Sequence, residues 1–135
     1  MTAKINHIAI VVEDIDKALK VYQDAIGLPL EAVNDEPAEA VRVAYMPTPA
    51  GEVELIQPTT EDSGVAKYLA KRGEGLHHVC LEVESIAENV ARMEAQGMEV
   101  LGSVRTNKRG DKYIFIHPKS AHGVLIELYE KGQGE

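Results

Sequence analysis

An α+β fold built from two tandem βαβββ modules is what this sequence predicts, and three observations predict it. Sliding the chain along itself by 71 residues lays "INHIAIVVEDIDKALKVYQDAIG" over "LHHVCLEVESIAENVARMEAQG", so that His7 meets His78, Val12 meets Val83 and Ile15 meets Ile86. Each copy passes from a β-branched, apolar run into a stretch with helical spacing, and the stretch ends on Gly27 or Gly97. A glutamate then stands inside an apolar strand of each copy, Glu54 in "VELIQP" and Glu127 in "LIELYE". With 135 residues the chain suits a single domain, residues 1–135, with modules over about 5–58 and 76–130 and a linking helix over about 62–72.

The elements follow in order. "HIAIVV" and "HVCLEV" read as the first strand of each module. Asp14 and Ser85 are N-cap residues, short polar side chains ahead of apolar periodicity. Behind them Ile15, Ala18, Leu19, Tyr22 and Ile26 recur at helical spacing, as do Ile86, Val90, Met93 and Ala91. Three further strands complete each module, at about 30–33, 41–47 and 52–57, then 99–104, 112–117 and 124–129. The 71-residue offset also lays Pro47 on Pro118. Between the modules, "TTEDSGVAKYLAKRGEG" reads as a short helix capped by Asp62 or Ser63 and ended by Gly73.

Alternate strand residues share a face. Ile8, Ile10 and Val12, like His77, Val79, Leu81 and Val83, form the more apolar faces and are expected under the helices. His7 and His78 then look out from the open face, while His77 is a structural or surface residue on the helix side. A carboxylate within an apolar strand is costly unless it is paired or holds a metal. Two such carboxylates and two histidines at matching places of a duplicated unit form a coherent set of ligands for a divalent ion such as Co²⁺, Mn²⁺, Ni²⁺, Zn²⁺ or Fe²⁺.

Charge and cysteine content narrow the setting. A net charge of −8 argues against nucleic-acid binding through a basic surface. Arg105, Lys108, Arg109, Lys112 and Lys119 nevertheless cluster around a single acid, Asp111, and such a basic segment on an acidic protein suits a small polyanion. No apolar stretch reaches the length of a membrane span, and the first residues lack a signal-peptide pattern. With Cys80 as the lone cysteine there is no internal disulfide, and the expected location is the cytoplasm.

With "NHIAIVVEDIDKALKVYQDAIGL", "EDSGVAKYLAKRGEGLHHVCLEV" and "FIHPKSAHGVLIELYE" in view, the chain resembles the vicinal-oxygen-chelate superfamily, which includes glyoxalase I and the extradiol dioxygenases. Over nearly its whole length it is most similar to the methylmalonyl-CoA epimerase family, above all in "KRGEGLHH" and "HPKS…GVLIEL". That resemblance implies a glyoxalase-like fold in which mixed sheets form a curved, cleft-containing half-barrel. It implies metal ligands at His7, Glu54, His78 and Glu127, with Co²⁺ the typical ion, and a homodimer. It also implies interconversion of (R)- and (S)-methylmalonyl-CoA by α-proton abstraction through a metal-stabilised thioester enolate.

Epimerisation needs an acid/base group on each side of the α-carbon. Glu127 is the candidate for one. Some relatives carry a glutamate as the other in the strand matching "AVRVAYMP"; here that position is Val43 or, with a one-residue gap, Arg42. Glu36 and Glu39 lie nearby in the loop-like stretch "NDEPAEA", and the second group is expected to be another residue or a water. Lys108, Arg109, Lys112, Lys119 and Ser120 are expected to bind the CoA side of the substrate. His117 is read as structural or substrate-side and His122 as exposed.

Other readings keep the scaffold. Glyoxalase I would apply the same logic to a glutathione hemithioacetal. A dioxygenase would hold Fe²⁺ with two histidines and one carboxylate, against which a fourth ligand at Glu54 argues. A metal-free drug-binding protein would rely on aromatic packing, and this chain has no Trp and one Phe.

Overall fold

The apolar periodicities are realised in a computed structural model that describes residues 3–132. Two compact units emerge among the described residues: a first unit of residues 7–77, and a second formed by residues 78–132 together with residues 3–6. The α+β glyoxalase-like fold is present in both as βαβββ.

In the first unit, strand β1 (Ala3–Val11), which enters it at His7, leads into helix α1 (Ile15–Leu19), followed by β2 (Ala32–Glu36), β3 (Val41–Thr48) and β4 (Gly51–Pro58). Its sheet runs β2-β3-β4-β1, with β1 parallel to β4 and the other neighbours antiparallel. Asp14 caps α1 by accepting the Lys17 amide at 3.3 Å. The helix does not continue as a regular one to Ile26. It widens into a π-helical stretch over Lys20–Ala25, where the Ile26 amide reaches back to Val21 at 2.8 Å. That widening rotates the end of the helix, and Ile26, expected in the core, is exposed.

β2 also departs from expectation. It covers 32–36 rather than 30–33, so Glu36 lies on a strand and not in a loop. The strand is short and polar, and only pairing with β3 identifies it.

Two apolar layers flank this sheet. Val12, Ile15, Ala44, Met46 and Leu55 pack with Ala18, Leu19 and Tyr22 on the α1 side. On the other side Ala9, Val11, Val41, Val43 and Ile56 pack against Val65, Tyr68 and Leu69 of helix α2 (Gly64–Arg72), which Ser63 caps through the Ala66 amide. The face expected to be open is therefore covered by α2 beyond His7, and His7 itself is buried. Helix burial of an otherwise one-sided sheet explains the difference: the linking helix has its own apolar stripe to cover.

The second unit repeats the plan. β5 (Gly75–Val83), helix α3 (Ile86–Ala95), β6 (Val100–Thr106), β7 (Lys112–Ile116) and β8 (Ile126–Glu130) give a sheet ordered β5-β8-β7-β6, with β5 parallel to β8. Ser85 caps α3 through the Glu88 amide, and Val83, Ile86, Ile114, Ile116 and Leu128 form its core with Val90 and Met93. Ala91, at the edge of the apolar stripe, is exposed.

A polar knot closes the β6–β7 hairpin onto β8. Asp111, buried, accepts the Tyr129 hydroxyl, the Gly132 amide at 2.8 Å and the Arg109 Nε at 3.3 Å, while Arg109 also donates to Tyr129 at 3.2 Å. The Tyr129 hydrogen bond, followed by that of Gly132, lowers the Asp111 carboxyl to about 2. A carboxylate held below its unfolded value of roughly 3.9 stabilises the native state fully above that value and loses the effect as pH falls through the native one. In acid titrations of unfolding free energy, the wild type is expected to lose stability from about pH 4 down toward about pH 2. Asp111→Asn is expected to be less stable at pH 7 by about 1–3 kcal/mol, a gap that narrows below pH 4.

Candidate active site

The parallel pairing of first and last strand fixes where the ligand-type residues stand in each unit. In the first, Ala9 faces Glu54 across β1 and β4. In the second, Cys80 faces Glu127 across β5 and β8. The two registers are equivalent, because Ala9 and Cys80 are 71 residues apart in the repeat. One pleat earlier on the same faces come His7 and His78.

The structure brings each histidine to its own glutamate. His7 Nδ1 lies 3.4 Å from Glu54 Oε2, and His78 Nε2 lies 3.0 Å from Glu127 Oε1. Both histidines and Glu127 are buried. Phe115 meets the His78 ring edge-on at 5.5 Å and lies opposite Glu127 in the β7–β8 register. Cys80, also buried, shares this face.

These spacings fit a metal. Donors bound at about 2.1 Å to one ion sit about 3.0 Å apart at a right angle and about 3.4 Å apart at a tetrahedral one. Imidazole with carboxylate is a donor set for divalent first-row ions.

Sequence reasoning missed a latch that holds both glutamates in place. The Ile15 amide, at the start of α1, donates to Gln57 Oε1 at 2.8 Å; the Ile86 amide, at the start of α3, donates to Glu130 Oε1 at 2.8 Å. Gln57 and Glu130 each lie three residues beyond Glu54 or Glu127, so the strand that carries the glutamate also satisfies an orphan helix amide. The duplication carried that signal: the shift that lays Glu54 on Glu127 lays Gln57 on Glu130.

The strand matching "AVRVAYMP" is β3, and its register decides which of its residues share the His7–Glu54 face. Tyr45 pairs with Glu54 and Val43 with Ile56, whereas Arg42 pairs with Gln57 on the opposite face. Val43 is buried. Glu36 comes onto the same face from β2, where its partner is Val41. The Tyr45 hydroxyl donates to Glu36 Oε2 at 2.7 Å. Burial, and after it this hydrogen bond, push the Tyr45 phenol above its ordinary range. Counted from the carboxylates, Tyr45 occupies the place of Phe115, one residue off the offset that lays Pro47 on Pro118.

The basic segment divides. Lys108, Lys112 and Lys119 are exposed. Arg109 is engaged by Asp111 and Tyr129, and the Ser120 hydroxyl accepts the Glu99 amide at 2.8 Å, so both have work inside the unit. His117 Nδ1 accepts the Lys119 amide at 3.0 Å and caps a turn, His122 is exposed, and the His77 ring packs on Tyr68 at 4.6 Å.

Known proteins resemble this chain in sequence and fold. The profile of the Glyoxalase/Bleomycin resistance protein/Dioxygenase superfamily matches residues 6–115. An ethylmalonyl-CoA/methylmalonyl-CoA epimerase of Cereibacter sphaeroides is 37% identical over 131 residues, covering 95% of this chain and 98% of that protein. The chain belongs to the methylmalonyl-CoA epimerase family of this superfamily. Among solved structures, methylmalonyl-CoA epimerase from Mycobacterium tuberculosis superposes with a TM-score of 0.85 at 32% identity, covering 96% of this chain and 88% of that one. A variant of the Streptomyces coelicolor epimerase in complex with 2-nitronate-propionyl-CoA superposes with a TM-score of 0.85 at 33% identity, covering 98% and 96%.

Proposed function

We propose that this family member is an isomerase that interconverts (R)- and (S)-methylmalonyl-CoA, with His7, Glu54, His78 and Glu127 as ligands of one divalent ion and Glu127 as an acid/base. Membership in the epimerase family, together with a His–Glu pair with a buried histidine at the same register position of each unit, carries this reading. We take the two units as one vicinal-oxygen-chelate domain, since the superfamily profile runs through both. Co²⁺ is the ion of choice; the same donors accept Mn²⁺, Ni²⁺, Zn²⁺ or Fe²⁺.

When bound, the ion supplies Lewis acidity where negative charge develops on the thioester oxygen. The rest is done by side chains. Two buried imidazoles offer nitrogen donors, and Glu54 contributes a second negative charge that tightens the hold on a cation. Glu127, with two carboxylate oxygens, can serve as ligand with one and take or return the α-proton with the other. Phe115 and the apolar strand around Glu127 limit water near that carboxylate, so that a proton removed from carbon can be returned to carbon.

The CoA side falls to Lys108, Lys112 and Lys119, with Arg109 and Ser120 alongside, through attraction between the exposed basic segment and phosphate. A homodimer is the proposed assembly, supported by edge strand β6, where Leu101 and Val104 are exposed. The lone buried thiol of Cys80 suits the reducing cytoplasm, which we propose as the location. Among the described residues no helix is long and apolar enough to cross a membrane.

Three outcomes are expected. Metal-loaded protein in D₂O should place deuterium at C2 of methylmalonyl-CoA with inversion, and Glu127→Gln should slow inversion by about 10²–10⁴-fold; absence of exchange with every divalent ion tried would overturn the epimerase reading. Titration with Co²⁺ followed by elemental analysis should give one ion per chain, with His7→Ala or His78→Ala each removing it. Two ions per chain, lost one at a time, would mean that each unit holds its own. Reversing Lys108 and Lys112 to Glu should raise KM for the CoA ester about 3- to 10-fold and leave kcat nearly unchanged, with the effect shrinking as salt is added.

A further inference from the structure

An epimerase must handle the α-proton on both sides of the carbon, and the position at which some relatives carry the second carboxylate is Val43, which is buried and apolar. Nothing at Val43 can move a proton. The neighbouring residues of the same face can. Tyr45 lies two residues along β3, directly opposite the ligand glutamate Glu54, and Glu36 reaches it from β2. Because Glu36 is paired with Val41, its 2.7 Å hydrogen bond to the Tyr45 hydroxyl spans the stretch of β3 that holds Val43.

We propose that Tyr45 and Glu36 together form the second acid/base of this enzyme, with Tyr45 as the catalytic group that meets the α-carbon and Glu36 as the positioning residue and proton store behind it. The inference rests on the epimerase reading above. In one direction the α-C–H bond breaks and its electron pair stays on the substrate, delocalised into the thioester. The proton forms an O–H bond at Tyr45 Oη while the hydroxyl proton of Tyr45 passes to Glu36 Oε2. In the other direction Tyr45 gives its proton to the α-carbon and recovers one from the protonated Glu36. Tyr45 is neutral before and after each transfer, and Glu36 carries the change in charge, so the relay balances with no outside reactant.

Several observations favour this pair over others. Arg42 faces away from the His7–Glu54 side, and as a guanidinium it cannot accept a proton. Glu39 lies in an exposed turn beyond the end of β2. The second unit supplies a control within the molecule: the residue in the place of Tyr45 there is Phe115, which keeps the ring and lacks the hydroxyl. In that unit the ligand glutamate, Glu127, has an apolar ring opposite it and serves as its own base. In the first unit Glu54 has a phenol opposite it, hydrogen-bonded to a second carboxylate.

The test is a stereochemical partition. Wild type, Tyr45→Phe, Glu36→Gln, Glu36→Asp and Glu127→Gln, each with metal, are given each enantiomer of methylmalonyl-CoA in D₂O, and exchange at C2 is followed separately from inversion. In Tyr45→Phe and Glu36→Gln inversion should fall about 10²-fold or more, while exchange with retention persists for the enantiomer whose proton Glu127 takes and KM stays within about twofold. Glu36→Asp should recover part of the inversion. Adding Tyr45→Phe to Glu127→Gln should abolish the exchange that remains for the opposite enantiomer. If, for the enantiomer whose proton Glu127 takes, exchange and inversion fall together in Tyr45→Phe and Glu36→Gln, or if inversion falls for neither enantiomer, the pair is not the second acid/base. If the wild type itself exchanges nothing, it is the epimerase reading that fails, and this inference falls with it.

Discussion

The structure turns on a carboxylate inside an apolar strand. Neither Glu54 nor Glu127 can be left alone between aliphatic neighbours, because a buried unpaired charge is too costly to tolerate. Each is answered by an imidazole from the strand that runs parallel to its own, His7 in one unit and His78 in the other. The parallel register makes that answer available. Once β1 lies beside β4 with Ala9 opposite Glu54, and β5 beside β8 with Cys80 opposite Glu127, the histidine one pleat away shares the glutamate's face. Helices α1 and α3 fix the register from the far side, each tying its first amide to the side chain three residues past the glutamate. Donors are thus placed by backbone geometry and a helix terminus, and not by the loops.

How much of this could be read from the chain follows from which signals are local. Helix starts depend on a residue and its near neighbours, so Asp14, Ser63 and Ser85 each cap where a cap was expected. The duplication was legible because both halves kept the same polar exceptions in otherwise apolar strands, a pattern that chance seldom repeats. β2 was misplaced because its residues, "AVNDE", have no strand periodicity of their own; they are a strand only because β3 is there to pair with. The end of the first helix escaped for a related reason. A π turn is set by how the helix packs, and spacing alone continues it to Ile26 at the ordinary pitch.

The candidate site shows the same division. Four ligand-type residues were visible because they violate the pattern around them. Arg109 and Ser120 were read from composition as residues for the CoA side, and the fold also gives each a partner within the unit: Asp111 and Tyr129 for the first, the Glu99 amide for the second. A charge in a sequence does not reveal whether the fold has already found it a partner. Glu36 was hidden in the opposite way. Within "NDEPAEA" it looked like a loop residue, and only the β2–β3 register shows that it shares a face with Tyr45 and Glu54.

That hidden residue bears on how a duplicated site becomes asymmetric. Two identical units would offer a reacting carbon the same group from each side, while two enantiomers are mirror images and present their proton in opposite directions. A metal can be held by near-equivalent pairs, because ligand bonds tolerate the small difference between a 3.4 Å and a 3.0 Å pair. Proton transfer is less forgiving, since it needs an acid or base of suitable strength within reach of one atom. On the proposed reading the units remain alike where they supply donors and differ at the residue opposite the glutamate: Phe115 opposite Glu127, Tyr45 opposite Glu54. One hydroxyl separates the two rings, and in the first unit it is joined to a carboxylate from the one strand that sequence patterning could not place.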